Sequence, residues 1–170
     1  MDMEKKALFL ILILAVLTIS PGCIGGEEAD SKETVPQFTV IADDGLEYGS
    51  ESLLGTNYIL HFSASWCNQC RPTMHAVTNH LDNEMYIVVS TDANDGDQEK
   101  LQDWHTQVNE SEEESNVDAP FSMSVNLAEA FEINNTPTLI LIGKDGTVID
   151  RHIGPMVDTD EIEEFWSKAQ

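Results

Sequence analysis

Two cysteines three residues apart, Cys67 and Cys70, lie in the run Trp66-Cys67-Asn68-Gln69-Cys70. An apolar stretch, Tyr58 to Ser63, precedes them and reads as a strand. The residues that follow, to about Leu81, read as a helix beginning at the first cysteine. Positions i and i+3 place both sulfurs on one side of the first helical turn, where they can form and break a disulfide. The first sulfur also faces unpaired backbone N–H groups and the positive end of the helix dipole. Both favour the thiolate, the reactive form of cysteine. A C-x-x-C between a strand and a helix therefore reads as a redox motif.

Charge points the same way. The chain has 31 Asp and Glu among 170 residues, yet none falls between Ser52 and Leu81. That stretch holds Arg71 and three of the five histidines, His61, His75 and His80. Acids beside a thiolate raise its pKa and cations lower it, so the expected neighbourhood of the pair is one cleared of carboxylates.

The residues before the domain read as targeting signals. Lys5 and Lys6 precede a 13-residue apolar run, Ala7 to Ile19, short for a bilayer span and suited to the core of a signal peptide. Ser20-Pro21-Gly22-Cys23 follows, so residues 1–22 are expected to be removed and Cys23 to carry lipid. Simple secretion and an uncleaved anchor are the alternatives. Residues 23–34, with Gly25-Gly26 and a polar run from Glu27 to Glu33, read as the anchor site and a flexible tether. An export signal implies an oxidising compartment on the outer face of the cell membrane, where disulfides persist. With Cys23 assigned to lipid, Cys67 and Cys70 are left as one pair. A disulfide closing so small a loop restricts the unfolded chain little, which argues against a purely stabilising staple.

The formal net charge of −23 survives removal of residues 1–22, whose two acids and two lysines cancel. Nucleic acid is excluded as a partner, because phosphate binding needs a basic footprint. An excess of this size suits a saline habitat, where salt screens self-repulsion; a cationic partner or metal-rich surroundings would leave the same trace.

Residues 35–170 are long enough for one domain with its own core. Phe38 to Ile41, Asp43-Asp44-Gly45 and Leu46 to Tyr48 read as a hairpin. Met85 to Ser90 is a continuous apolar run, as for a strand covered on both faces. Leu101, Trp104, His105 and Val108 recur at helical spacing. Asn109 to Asp118 reads as an exposed acidic loop without the spacing of a calcium site. Leu127 to Phe131 reads as a short helix. Thr136-Pro137-Thr138 opens an apolar strand that turns at Lys144 to Thr147 and returns over Val148 to Ile153. Asp158 to Lys168 reads as a final helix.

The β-α-β-α-β-β-α order, the Ser63-Ala64-Ser65-Trp66-Cys67-x-x-Cys70 run, Thr136-Pro137-Thr138 and the two Asp-Gly turns resemble the thioredoxin superfamily. They are most similar to its TlpA-like, membrane-anchored thiol–disulfide oxidoreductases. The resemblance implies an α/β thioredoxin-like fold, a central mixed sheet flanked by helices, with an N-terminal hairpin added. It implies an enzyme in which Cys67 is the nucleophile and Cys70 the resolving thiol. Trp66 would shield the disulfide and meet partners. Pro137 would follow a cis bond that brings the Thr136 backbone beside the disulfide. Its partners would be protein thiols or disulfides and an upstream redox protein, and its usual direction is reduction, as in cytochrome c maturation. No cofactor is expected.

This sequence departs from the family at three places. Thioredoxins carry a buried acid six residues before the nucleophile, where this chain has His61. TlpA-like proteins often place Glu three residues after the second cysteine, where this chain has Thr73. The family usually has Pro before the second cysteine, where this chain has Gln69. His61 is accordingly a candidate proton relay, beside the plain alternative of a satisfied core histidine. The competing function is a Cu(I) or Zn(II) module using Cys67, Cys70 and His61 or His75. Peroxidase chemistry fits less well, since Ala64 stands where such enzymes place Thr or Ser.

Overall fold

A computed structural model describes residues 32–112 and 115–170. The apolar leader, Cys23 and residues 23–31 of the tether lie outside the described residues. The described part begins earlier than Val35: Val148 N donates to Glu33 O at 2.8 Å, and Val35 N to Gly146 O at 2.8 Å. Glu33 and Thr34 are therefore paired to the domain and are not tether.

Seven strands and four α-helices follow among the described residues. The hairpin is β1 (Thr39–Ile41) with β2 (Glu47–Gly49), antiparallel about a turn in which Gly45 takes φ +79°, a conformation open to glycine. Then come β3 (Tyr58–Ser63), α1 (Cys70–His80), β4 (Met85–Ser90), α2 (Gln98–Asn109), β5 (Phe121–Met123), α3 (Val125–Ala130), β6 (Thr138–Ile142), β7 (Val148–Ile153) and α4 (Thr159–Ser167). The five-stranded sheet has the order β5-β4-β3-β6-β7, with β3, β4 and β5 parallel and β6 and β7 antiparallel. This is a mixed sheet with helices on it and a hairpin added, the expected thioredoxin-like fold.

The central strand β3 is buried at all six positions, and its alternation divides the core in two. Ile59, with Val88, Leu139 and Leu141, packs under Cys70, Met74 and Val77 of α1, Trp104 of α2 and Phe165 of α4. Tyr58, Leu60 and Phe62 face the other way, under Phe38 and Val40 of the hairpin segment and Leu127 and Phe131 around α3. Two differences from the sequence reading bear on the site. The helix starts at Cys70, one turn later than expected. Strand β5 is an additional element, a three-residue edge strand after Pro120 that pairs Phe121 with Val88.

Candidate active site

The sheet's architecture brings three loops to one end of β3. The first, Ala64 to Gln69, carries Cys67 and leads into Cys70 at the start of α1. The second follows β4 and includes a 3₁₀ turn at Ala93–Asp95. The third, Asn134 to Pro137, enters β6. Because β3 lies between β4 and β6, residues at these three strand ends must converge.

Cys67 and Cys70 are joined as a disulfide with Cα atoms 5.4 Å apart. Cys67 lies in the turn before α1, with its N–H donating to Ala64 O, while Cys70 N donates to Cys67 O and opens the helix. Cys67 is 6% exposed and Cys70 fully buried, so attack from outside reaches Cys67 first. Trp66 beside it is 63% exposed, although it is a large aromatic. On the far side Thr136 Oγ1 donates to Cys67 Sγ at 3.5 Å, and the Thr136–Pro137 bond is cis. Cys67, Trp66, Thr136 and Pro137 are thus brought together from residues far apart in sequence. An open groove of about 650 Å³ is lined by Thr91, Val125, Glu129, Glu132, Ile133 and Asn134.

The stretch free of acids does not make a site free of acids. Asp95 is buried and accepts from Ser65 N at 3.0 Å, Ser65 Oγ at 2.8 Å and Ser90 Oγ at 2.5 Å. Asp92 accepts from Trp66 Nε1 at 2.9 Å. Hydrogen bonds from Asn94 N and the Trp66 indole hold the Asp92 carboxyl below its usual range. Two carboxylates therefore grip the residues immediately before Cys67. They were missed because they belong to the acidic loop after β4, which in sequence looks like solvated surface. Their one sequence signal is position: a loop leaving the strand parallel to β3 must end beside the loop leaving β3.

His61 lies on the sheet face that α1 covers, paired in register with Val88 and Leu139. It is fully buried, and burial pushes its pKa down to about 3. Burial thus favours the neutral ring, in which one nitrogen donates and the other accepts. Its Nδ1 meets the Tyr86 hydroxyl. Thr73 is buried, and its Oγ1 accepts from Met156 N at 3.1 Å, tying α1 to the segment before α4. His75 has both ring nitrogens engaged, Nδ1 with Ser115 Oγ and Nε2 with Val108 O and Ser111 Oγ. Among the described residues no three of His, Cys, Asp or Glu are grouped to hold a metal ion. No helix among them is long and apolar enough to cross a membrane.

Comparison with known proteins agrees with this construction. The thioredoxin-like domain family matches residues 53–170, and the chain belongs to that family. A probable nucleoredoxin 1 from Arabidopsis thaliana is 25% identical over 119 residues, which are 66% of this chain and 20% of the plant protein. The chain thus spans about a fifth of the length of that relative. Two solved structures share the fold. One is a thiol:disulfide interchange protein of the thioredoxin family from Chlorobium tepidum, 22% identical, with TM-score 0.63 over 81% of this chain and 96% of that one. The other is the exposed lipoprotein thioredoxin of Streptococcus pneumoniae, 23% identical, with TM-score 0.59 over 78% and 99%.

Proposed function

We propose that this protein is an exported thiol–disulfide oxidoreductase, held at the outer face of the membrane by lipid on Cys23, that reduces disulfides in client proteins. The observation that carries the reading is the asymmetry of the pair, Cys67 keeping a sliver of exposure (6%) between Trp66 and Thr136 and Cys70 wholly buried at the start of α1. In the dithiol form, Cys67 thiolate attacks a client disulfide and releases one client thiolate. Cys70 gives up its proton, attacks Cys67 Sγ and releases the second client thiolate, leaving the Cys67–Cys70 disulfide. An upstream dithiol protein then restores the reduced pair. Two electrons pass to the client in each cycle, and the sulfurs carry them without a cofactor.

Reduction rather than oxidation is supported by the carboxylates. Asp92 and Asp95 stand against the nucleophile's own loop and disfavour a thiolate there. A destabilised thiolate makes the disulfide the preferred form and the dithiol a better reductant. The exposed lipoprotein thioredoxin among the fold's relatives supports the anchored placement, and the Lys5–Cys23 segment supports export. The metal-binding reading has less behind it, since His75 is committed to the α2 end and its following loop.

The test is capture. A Cys70→Ser variant of the full chain should hold client proteins as mixed disulfides through Cys67, and wild type should reduce insulin catalytically. Absence of both reactions would exclude the exchange reading. Mass analysis of the protein from membranes should find lipid on Cys23; an unmodified Cys23 would remove the anchor.

A further inference from the structure

Besides Tyr58 Oη on the opposite face, strand β3 carries two polar side-chain atoms that are buried and have no hydrogen-bond partner among the described residues, His61 Nε2 and Ser63 Oγ. They are two residues apart and therefore share a face, the one that α1 covers. Leaving buried polar atoms unpaired costs free energy, so a partner in another state of the site is worth seeking. His61 is constrained at its other nitrogen, where Nδ1 meets the Tyr86 hydroxyl. The two rings lie 5.7 Å apart, tilted by 52°.

One hydrogen serves that contact, and it can come from either side. If Tyr86 donates to Nδ1, the hydroxyl is satisfied and the ring's own proton sits on Nε2; one unpaired donor remains. If Nδ1–H donates to the phenol oxygen, the Tyr86 O–H and the bare Nε2 are both unpaired. The first arrangement leaves fewer buried groups without partners and is favoured for that reason. The hydrogen bond at one imidazole nitrogen decides the state of the other.

We propose that Tyr86 is a positioning residue for disulfide exchange, fixing His61 as the Nε2–H tautomer so that this N–H donates to the Cys70 sulfur once the pair is opened. The inference rests on the exchange chemistry proposed above. Cys70 is packed in the same core cluster as Ile59, Val88 and Leu139, the residues that flank His61 along β3 and across β4 and β6. In the disulfide, Cys70 Sγ is a neutral, weak acceptor. In the mixed disulfide Cys70 is free, its proton passes to solvent, and the thiolate attacks Cys67 Sγ. The new Cys67–Cys70 bond forms as the Cys67–client bond breaks, and the client sulfur leaves with the electron pair. An N–H aimed at the Cys70 thiolate lowers its pKa and speeds this step. His61 is then a donor that steadies the thiolate, not the base that takes its proton.

Nitrogen NMR of the full-length protein reads the tautomer directly and needs no variant. The proton should be found on Nε2, with that resonance moving on reduction of the disulfide; a proton on Nδ1 overturns the proposal. Resolution of a preformed mixed disulfide then tests the consequence. Tyr86→Phe and His61→Leu should slow resolution by about tenfold, with alkylation of Cys67 unchanged. His61→Gln, which keeps a donor but cannot take up a proton at neutral pH, should restore most of the rate. Wild-type resolution in Tyr86→Phe, or Gln as slow as Leu, contradicts it. If wild-type Cys67 formed no mixed disulfide at all, the exchange function would fall, whereas the tautomer would still be decided by NMR.

Discussion

At the scale of single residues, the site is a disulfide whose surroundings come from three loops. Cys67 and Cys70 were legible in the sequence because their spacing and their place after an apolar strand carry chemical meaning by themselves. Asp92 and Asp95 were not, because a carboxylate in an acidic loop looks like every other carboxylate until the sheet brings it to Ser65 and Trp66. Asp95 makes a sharp prediction. Asp95→Ala removes the acceptor for three hydrogen bonds and leaves buried donors unpaired, which should cost about 1–3 kcal/mol in denaturant unfolding. Asp95→Asn keeps an acceptor and, with Nδ2 facing Ser65 Oγ, most of the stability. It should nevertheless make the couple less reducing, because the negative charge near Cys67 is gone. A potential unchanged in Asp95→Asn would show that this carboxylate only shapes the loop.

At the scale of elements, the strands and helices with strong periodicity were readable: β3 and β4 occupy the residues expected of them, and α2 holds Leu101, Trp104, His105 and Val108 at the expected helical spacing, with Asp97 capping its start. Strand β5 was not readable. It has three residues, follows a proline, and owes its existence to pairing with β4 and to the hairpin docked beside it. That docking centres on Asp43, whose carboxylate accepts from Phe121 N at 2.8 Å and pairs with His105 Nδ1 at 2.7 Å. His105 in turn stacks on the Phe121 ring, 4.3 Å between centroids. Burial opposes ionisation of both partners, but their mutual contact, with the Phe121 N–H and the Val117 carbonyl, outweighs it. Asp43 is held below its ordinary value and His105 above. The signs fix a pH window. The stability from a raised histidine is present below its unfolded value and fades as pH rises through the folded one. That from a lowered aspartate is present above its unfolded value and fades as pH falls through the folded one. The pair should therefore contribute most between the unfolded values, 3.8 and 6.5. Asp43→Ala should cost about 1–3 kcal/mol near pH 5.5, and thermal melts should show the loss shrinking toward pH 8 and toward pH 3. A pH-independent loss would mean that packing of the hairpin, not this ion pair, holds it.

At the scale of the whole molecule, the governing quantity is a net charge of −23 on 170 residues. Like charges in a compact state repel, and ions screen them within about 10 Å at 0.1 M salt. The melting temperature should accordingly rise with sodium chloride up to the molar range, and lowering the salt should destabilise the fold without any change in the disulfide. A melting temperature indifferent to salt would show that the acids are already neutralised by local pairing. The charge distribution was read directly from the sequence; its consequence for the site was not, because sheet order decides which acids approach the sulfurs.

All three scales meet in the claim that Cys67 and Cys70 form a reversible redox couple poised for reduction. Equilibrating the full-length protein against a graded series of reduced and oxidised glutathione, and counting free thiols at each ratio, tests it most directly. The account predicts a single, reversible two-electron transition in which the pair stays oxidised until glutathione is strongly reducing, with the fold unchanged throughout. A pair that opens only when the protein is unfolded, or that is already reduced under mildly oxidising glutathione, would contradict it.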